Sequence, residues 1–302
     1  MNALVLGGNG FIGSHIVDAL LQRGWGVKVF DCIDRPRPLA GHVESVIGDF
    51  SDSSKVIEAL ADVDVVYHAI STTVPSSSNI DPVADISSNL VNTVKLLEQM
   101  DRLGKKRIVY LSTGGAIYGD PETLPIPETH PLRPLSSYGI VKMAIERYLC
   151  MYQQLNGLRP VVLRPSNPYG PRQGRLGVQG IIGTFFNRIH AGDALQVWGD
   201  GSIVRDYIYV EDLAELCALA GEADKPGIYN CGSGQGLSIK QLLAAITDVT
   251  GSEPTVDYQP GRGFDIQQVI LDISRAEEAF GWQPKTDLVA GLGRHWAWVS
   301  GE

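Results

Sequence analysis

The sequence predicts an α/β fold built on a doubly wound parallel sheet, with a smaller C-terminal lobe. Short apolar runs alternate with segments of helical period through the first half of the chain, the pattern of parallel strands joined by crossover helices. A glycine-rich turn, Gly7-Gly8-Asn9-Gly10-Phe11-Ile12-Gly13, lies between the first apolar run and the first helical one. After Arg164 the texture changes to Pro/Gly-rich loops such as Asn167-Pro168-Tyr169-Gly170-Pro171 and Gly199-Asp200-Gly201.

In chain order, strands are expected over 3–6, 27–30, 43–47, 63–68, 107–111 and 160–164, because each is a short apolar run of sheet length. Helices are expected between them over 11–23, 55–61, 82–103 and 135–155, where apolar residues recur with helical period. Further helices are expected over 178–190, 210–220, 238–249 and 274–280. Residues 1–170 read as a dinucleotide domain of Rossmann type, completed by 207–230. Residues 171–302 read mainly as a substrate lobe.

A chain of 302 residues, 44% of them hydrophobic, can bury a core large enough for such a sheet. Lys+Arg 25 against Asp+Glu 34 gives a net charge of −9, which argues against general nucleic-acid binding but leaves room for a phosphorylated ligand. The four cysteines (Cys32, Cys150, Cys217 and Cys231) show neither disulfide nor zinc spacing and read as isolated buried thiols, so no metal is expected. The start, MNALVLGG, is already a strand, and no apolar run approaches the ~20 residues that span a bilayer. A cytoplasmic protein with no membrane partner is the expectation.

In the turn, the first glycine permits the tight bend, the second lets a pyrophosphate approach the backbone, and the third lets helix and strand pack closely. Gly7, Gly10, Phe11, Ile12 and Gly13 are the residues expected at that pyrophosphate, held at the helix N-terminus. The spacing is G-x-x-G-x-x-G rather than the commoner G-x-G-x-x-G. Asp31, ending the second strand, suits the adenosine ribose and repels a 2′-phosphate, which favours NAD over NADP. Arg35 and Arg37 close by keep NADP as a rival, and Asp49-Phe50 are candidates to flank the adenine.

Downstream, Tyr138 and Lys142 stand four apart in a helical segment and so share one face. An ammonium there favours phenolate over phenol, which suits the tyrosine to act as a base. A base beside a bound dinucleotide is equipped to take a hydroxyl proton as hydride leaves the same carbon.

With these residues the chain resembles the extended short-chain dehydrogenase/reductase family, specifically NAD-dependent nucleotide-sugar epimerases of the UDP-galactose 4-epimerase type. Matching segments are Gly7–Ser14 with His15, Val66-Tyr67-His68-Ala69, Ser112–Gly119, Tyr138–Lys142, Arg164–Pro171, Arg205–Asp212 and the late set Arg262, Asp265 and Asp272. The resemblance implies that Tyr138 is the base and that Lys142 also holds the nicotinamide ribose. It further implies a hydroxyl residue after the fifth strand that touches the sugar 4-hydroxyl. That position falls on Gly114, so Thr113 is the expected substitute, with Ser112 the next hydroxyl. Gly114-Gly115-Ala116 also lacks the carboxylate that related dehydratases and decarboxylases carry, which leaves oxidation and re-reduction at C4.

On the substrate side the resemblance implies that Asn167 touches the sugar diphosphate, that Arg205 and Arg262 bind the pyrophosphate or nucleotide, and that Asp265 holds the ribose. Val269 stands where galactose-specific members carry a tyrosine, so room for an N-acetyl group is expected. Helices 82–103 and 135–155 are expected to pair with their copies as the four-helix bundle of a homodimer. The expected activity is NAD-dependent inversion at C4 of a UDP-sugar, either the glucose/galactose or the N-acetylhexosamine pair, through a 4-keto intermediate. The rivals are an NADP(H)-linked nucleotide-sugar reductase, a UDP-glucuronate 4-epimerase and a catalytically silent dinucleotide-binding regulator.

Overall fold

A computed structural model describes residues 1–34, 43–174, 180–261 and 266–301. Arg35, Arg37, Arg262 and Asp265 lie outside the described residues. Along the chain run β1 (Asn2–Leu6), α1 (Phe11–Gln22), β2 (Gly26–Asp31), β3 (Val43–Ile47), α2 (Ser53–Ala59), β4 (Val65–His68), α3 (Pro75–Ser78), α4 (Pro82–Asp85), α5 (Asn92–Arg102), β5 (Arg107–Leu111), α6 (Ser137–Asn156) and β6 (Arg159–Pro165). There follow β7 (Asn167–Tyr169), α7 (Ile181–Ala191), β8 (Leu195–Trp198), β9 (Val204–Arg205), β10 (Tyr207–Tyr209), α8 (Val210–Ala223), β11 (Gly227–Cys231), β12 (Leu237–Ser238), α9 (Ile239–Thr250), β13 (Val256–Gln259), β14 (Gln268–Val269), α10 (Ser274–Phe280) and α11 (Leu288–Ser300).

The residues divide into two units. The first comprises Met1–Ile117, Leu132–Arg164 and Ala214–Tyr229; the second comprises Tyr118–Pro131, Pro165–Leu213 and Asn230–Glu302. The first unit carries a seven-stranded sheet in the order β11-β6-β5-β4-β1-β2-β3. Strands β1 to β6 pair in parallel, with Leu6 opposite both Phe30 and His68. The chain winds outward from β1 to β3 and then returns to β4, so the order reverses between β1 and β4. The carboxyl ends of strands at such a reversal are the usual ligand position in sheets of this kind. Leu4, Leu6, Phe30, Val66, Ile108 and Val162 of the sheet pack with Leu96 and Leu97 of α5 and Ile145 and Leu149 of α6. Each such side chain contributes roughly 1.5–3 kcal/mol by leaving water.

One expected helix differs. Over 82–103 the chain forms α4, then a wider π-helical stretch at Ile86–Val91, then α5. Side chains compete with the helical ladder here: Ser88 Oγ donates to the Ala84 carbonyl at 2.6 Å and Thr93 Oγ1 to that of Asn89 at 2.7 Å. The widened turn keeps Asp85 and Asn89 both buried. The cysteines also differ from expectation: Cys217 and Cys231 are buried, but Cys150 is half-buried and Cys32, just past the end of β2, is exposed. Among the described residues no helix is long and apolar enough to cross a membrane, and no group of three or more metal-ligating side chains occurs.

The second unit has its own core, with Tyr169, Phe185, Phe186, Leu195, Val197, Tyr209, Leu242, Ile246 and Leu292 buried together. Helix α11 has no counterpart in the sequence reading. Its signals are Asp287, which caps Ala290 N–H at 2.9 Å, and inward residues at 292, 295 and 299. One of these is His295, fully buried against Phe186 (ring centroids 5.1 Å apart), with neither ring nitrogen hydrogen-bonded among the described residues. Burial pushes its pKa from 6.5 down to about 4. The unfolded chain therefore binds this proton first, and stability is lost as pH falls from the unfolded toward the folded value. We expect thermal melts at about pH 5 to show roughly 2 kcal/mol less stability from this group than at about pH 7. His295→Leu should remove that increment, and an unchanged pH dependence in the variant would refute the assignment.

Candidate active site

The glycine turn joins β1 to α1, and its backbone is drawn tight. Gly7 adopts φ +79°, its carbonyl accepts Gly10 N–H at 3.0 Å, and a Cβ on Gly13 would collide with that same carbonyl oxygen. Above Gly10 the space is open: a Cβ there would meet only Gly7 O, at 3.1 Å. No side chain caps α1 and its first turn, at Phe11 and Ile12, carries no carboxylate. An open cradle at an uncapped helix N-terminus fits a dinucleotide pyrophosphate. Asp31 is fixed beside it, one carboxylate oxygen accepting Asn9 N–H at 2.9 Å and the other Ile33 N–H at 3.3 Å. Asp49 holds its own turn instead, accepting both the backbone N–H and the hydroxyl of Ser51, bonds that lower its pKa. Phe50 turns its ring onto Phe30 and His68.

The tyrosine and lysine project from the first turns of α6, which Ser136 caps by accepting Gly139 N–H. Gly139 is required by proximity: a Cβ would collide with the carbonyl of Ala116 in the loop after β5. That close packing brings α6 against the segment carrying Ser112 and Thr113. Lys142 Nζ donates to the Leu111 carbonyl at 2.8 Å and lies 5.6 Å from the Tyr138 ring centroid and 5.0 Å from that of Tyr110. Thr113 neighbours the Tyr138 phenol and favours its ionised form by hydrogen bonding.

The electrostatics depart from the simple expectation of a lowered phenol. Burial pushes Tyr138 up to about 12 against the help of Thr113, and the charge of Asp85 adds to the rise. Burial likewise pushes Lys142 down to about 8, opposed by Asp85 and Glu146. Enclosure disfavours both charged forms, so lysine alone does not bring the phenol toward neutrality.

Ser112 is turned inward. Its hydroxyl donates to Glu146 at 2.5 Å, and Glu146 is forked by Arg164 through Nε at 3.0 Å and the terminal nitrogen at 2.6 Å. This pair is almost wholly buried, each side chain 2% exposed. The sequence reading also passes over Asp85, which is fully buried on α4 and bonded to Ser137, the residue before Tyr138. Its signal lies in the polar residues Asp85, Asn89 and Asn92, which recur at helical spacing and are buried while Val83 and Ile86 are exposed.

In the second unit, Asn167 and Arg205 line one cavity of about 340 Å³ with Tyr207, Gln196, Val197 and Trp198. Asn167 is held by its amide on the Asp206 carbonyl at 2.8 Å. Val269 lies opposite Arg205 in the β9–β14 pairing and is buried.

A phosphate-cradling loop at the sheet's switch point and a half-buried tyrosine beside a buried lysine in the same unit define a dinucleotide-dependent enzyme of the short-chain dehydrogenase/reductase class. Residues 3–232 match the model of the NAD dependent epimerase/dehydratase family, and the chain belongs to that family. It is 34% identical over 307 residues to the UDP-glucose 4-epimerase of Mycolicibacterium smegmatis, covering 97% of each. The crystal structure of the Thermus thermophilus UDP-glucose 4-epimerase complex with NAD superposes with a TM-score of 0.92 at 37% identity, over 100% of this chain and 99% of that one. The Methanobrevibacter ruminantium UDP-N-acetylglucosamine 4-epimerase, in complex with UDP-N-acetylmuramic acid, superposes with a TM-score of 0.92 at 30% identity, over 98% and 97%.

Proposed function

We propose that this enzyme inverts C4 of a UDP-sugar through a transient 4-keto sugar, with NAD as a cofactor that is regenerated in each cycle. The observation that carries the reading is the convergence of Tyr138, Lys142 and Thr113 at the carboxyl end of β5, in the unit that holds the glycine cradle. Gly7, Gly10, Phe11, Ile12 and Gly13 hold the pyrophosphate, Asp31 the adenosine ribose, and Lys142 the nicotinamide ribose. When bound, NAD would supply the hydride acceptor and donor, and its oxidised ring would supply a positive charge that favours the Tyr138 phenolate. Tyr138 withdraws the proton from the sugar 4-hydroxyl; the 4-keto sugar then turns over so that the hydride returns to the other face of C4, and Tyr138 gives the proton back to the C4 oxygen. Thr113 stabilises the phenolate and guides that proton; Ser112, the next hydroxyl, donates to Glu146. Asn167 and Arg205 hold the diphosphate and nucleotide.

The placing of Asp31 supports NAD over NADP, because a carboxylate fixed at that point repels a 2′-phosphate. A valine at 269 favours the N-acetylhexosamine pair as well as glucose and galactose. The purified enzyme, incubated with a panel of UDP-sugars and followed through the anomeric protons by NMR, should interconvert C4 epimers without net consumption of NADH. Rejection of UDP-N-acetylglucosamine would remove the acetylated pair, and stoichiometric NADH oxidation would favour the reductase. Thr113→Val should lower kcat about 10²-fold with KM little changed; full activity would take Thr113 out of the mechanism.

Homodimerisation is part of this proposal. Val83, Ile86 and Val91 on the α4–α5 segment and Ile140, Met151 and Leu155 on α6 are exposed apolar side chains, the material of a helix–helix interface. A cytoplasmic setting accords with cysteines left as free thiols.

A further inference from the structure

We propose that Asp85 is a positioning residue for the reaction: a buried carboxylate that anchors the start of α6 and serves as counter-charge to Lys142 beside Tyr138. The inference rests on the assignment of Tyr138 as the base.

Asp85 is wholly buried, and among the described residues its carboxylate is bonded by neutral donors. Oδ1 accepts from Thr73 Oγ1 at 2.7 Å and from Asn89 Nδ2 at 2.9 Å, and Oδ2 accepts from Ser137 Oγ at 2.7 Å. No arginine, lysine or histidine forms an ion pair with it among the described residues. A buried carboxylate without a bonded cation is costly, so its retention calls for a charge within range. That charge is Lys142, which Asp85 helps to keep protonated.

The anchoring is equally specific. Ser137 is the first residue of α6; its N–H is held by Asn79 Oδ1 at 2.8 Å and its hydroxyl by Asp85. The next residue is Tyr138. The π-helical stretch supplies the rest, because Asn89, which grips Asp85, also accepts Thr72 N–H at 3.0 Å. Clamped through both groups of Ser137, the phenol is held in one place relative to the cradle.

The other groups acting here are fixed. Glu146 on α6 is neutralised by Arg164 on β6. Tyr110 on β5 and His68 on β4 are buried and held uncharged, with His68 down at about 3. Glu98 and Asp101 on α5 act at the far end of α6, on Tyr152. Asp85 is thus the carboxylate near Tyr138 and Lys142 with no cation bonded to it.

The test is Asp85→Asn, which keeps the shape and removes the charge. Without that charge both Tyr138 and Lys142 give up their protons more readily, so both limbs of the pH–kcat profile should move to lower pH by at least about half a unit. Asp85→Glu keeps the charge and should leave the limbs in place while kcat falls. A profile lowered in height but unmoved in Asp85→Asn would overturn the proposal. The ultraviolet titration of the Tyr138 phenol, taken as the difference from a Tyr138→Phe protein, should shift the same way without any substrate. That readout separates failure of this proposal from failure of the epimerase reading. Should Asp85→Asn not fold, Ser137→Ala decides: kcat should fall at least about tenfold at constant KM, and an unaltered kcat would overturn the anchoring.

Discussion

Tyr138→Phe is expected to lower kcat by about 10³-fold while leaving NAD bound, because it deletes one oxygen and nothing that the fold uses. General-base assistance is worth about 10²–10⁴ in rate, and Tyr138 is the phenol at which both Thr113 and Lys142 converge. The loss should appear in kcat and in kcat/KM alike, since the proton is withdrawn only as the transition state forms. Single-turnover reduction of enzyme-bound NAD by a UDP-sugar, followed by absorbance, isolates the step. A variant that reduces NAD at the wild-type rate would show that another group accepts the proton.

Arg164→Met should be the most destabilising single change in the first unit. It leaves Glu146 charged and buried, with Ser112 as its remaining side-chain donor. Removing one partner of a buried pair costs about 3–5 kcal/mol, chiefly the desolvation of the stranded charge. For a chain of this size that is a fall in Tm on the order of 10 °C. Replacing both partners, Glu146→Gln with Arg164→Met, should recover much of the loss because no charge is stranded. If the double variant melts no higher than the single one, packing of the arginine stem rather than charge is what matters. The same pair bears on the reaction, since Glu146 lies one turn beyond Lys142 and acts on it.

Much of the molecule is legible in the residues alone. Strand runs, the glycine turn and the tyrosine–lysine spacing are local, and local patterns follow directly from helix and strand periods. Strands β1 to β6 therefore fall within a residue or two of their expected bounds, and Ser274–Phe280 is a helix as expected. Helix 82–103 was legible as a helix but not as an interrupted one, because the widening depends on Ser88, Thr93 and Asn89 finding partners. Residues 281–302 carried a usable signal in Asp287 and the inward spacing of Leu292, His295 and Val299. Arg262 and Asp265 rest on the sequence resemblance.

By itself the sequence determined the class of fold, the glycine turn, the tyrosine–lysine pair and the aspartate that ends β2, since each is written in neighbouring residues. Only the tertiary structure showed the Ser112 hydroxyl donating to Glu146. It alone brought Asp85 to Ser137 and set the Tyr138 phenol upward rather than downward. The physical reason is that desolvation and hydrogen-bond partnership are properties of enclosure: they depend on which distant segments close around a group, and no spacing along the chain records that.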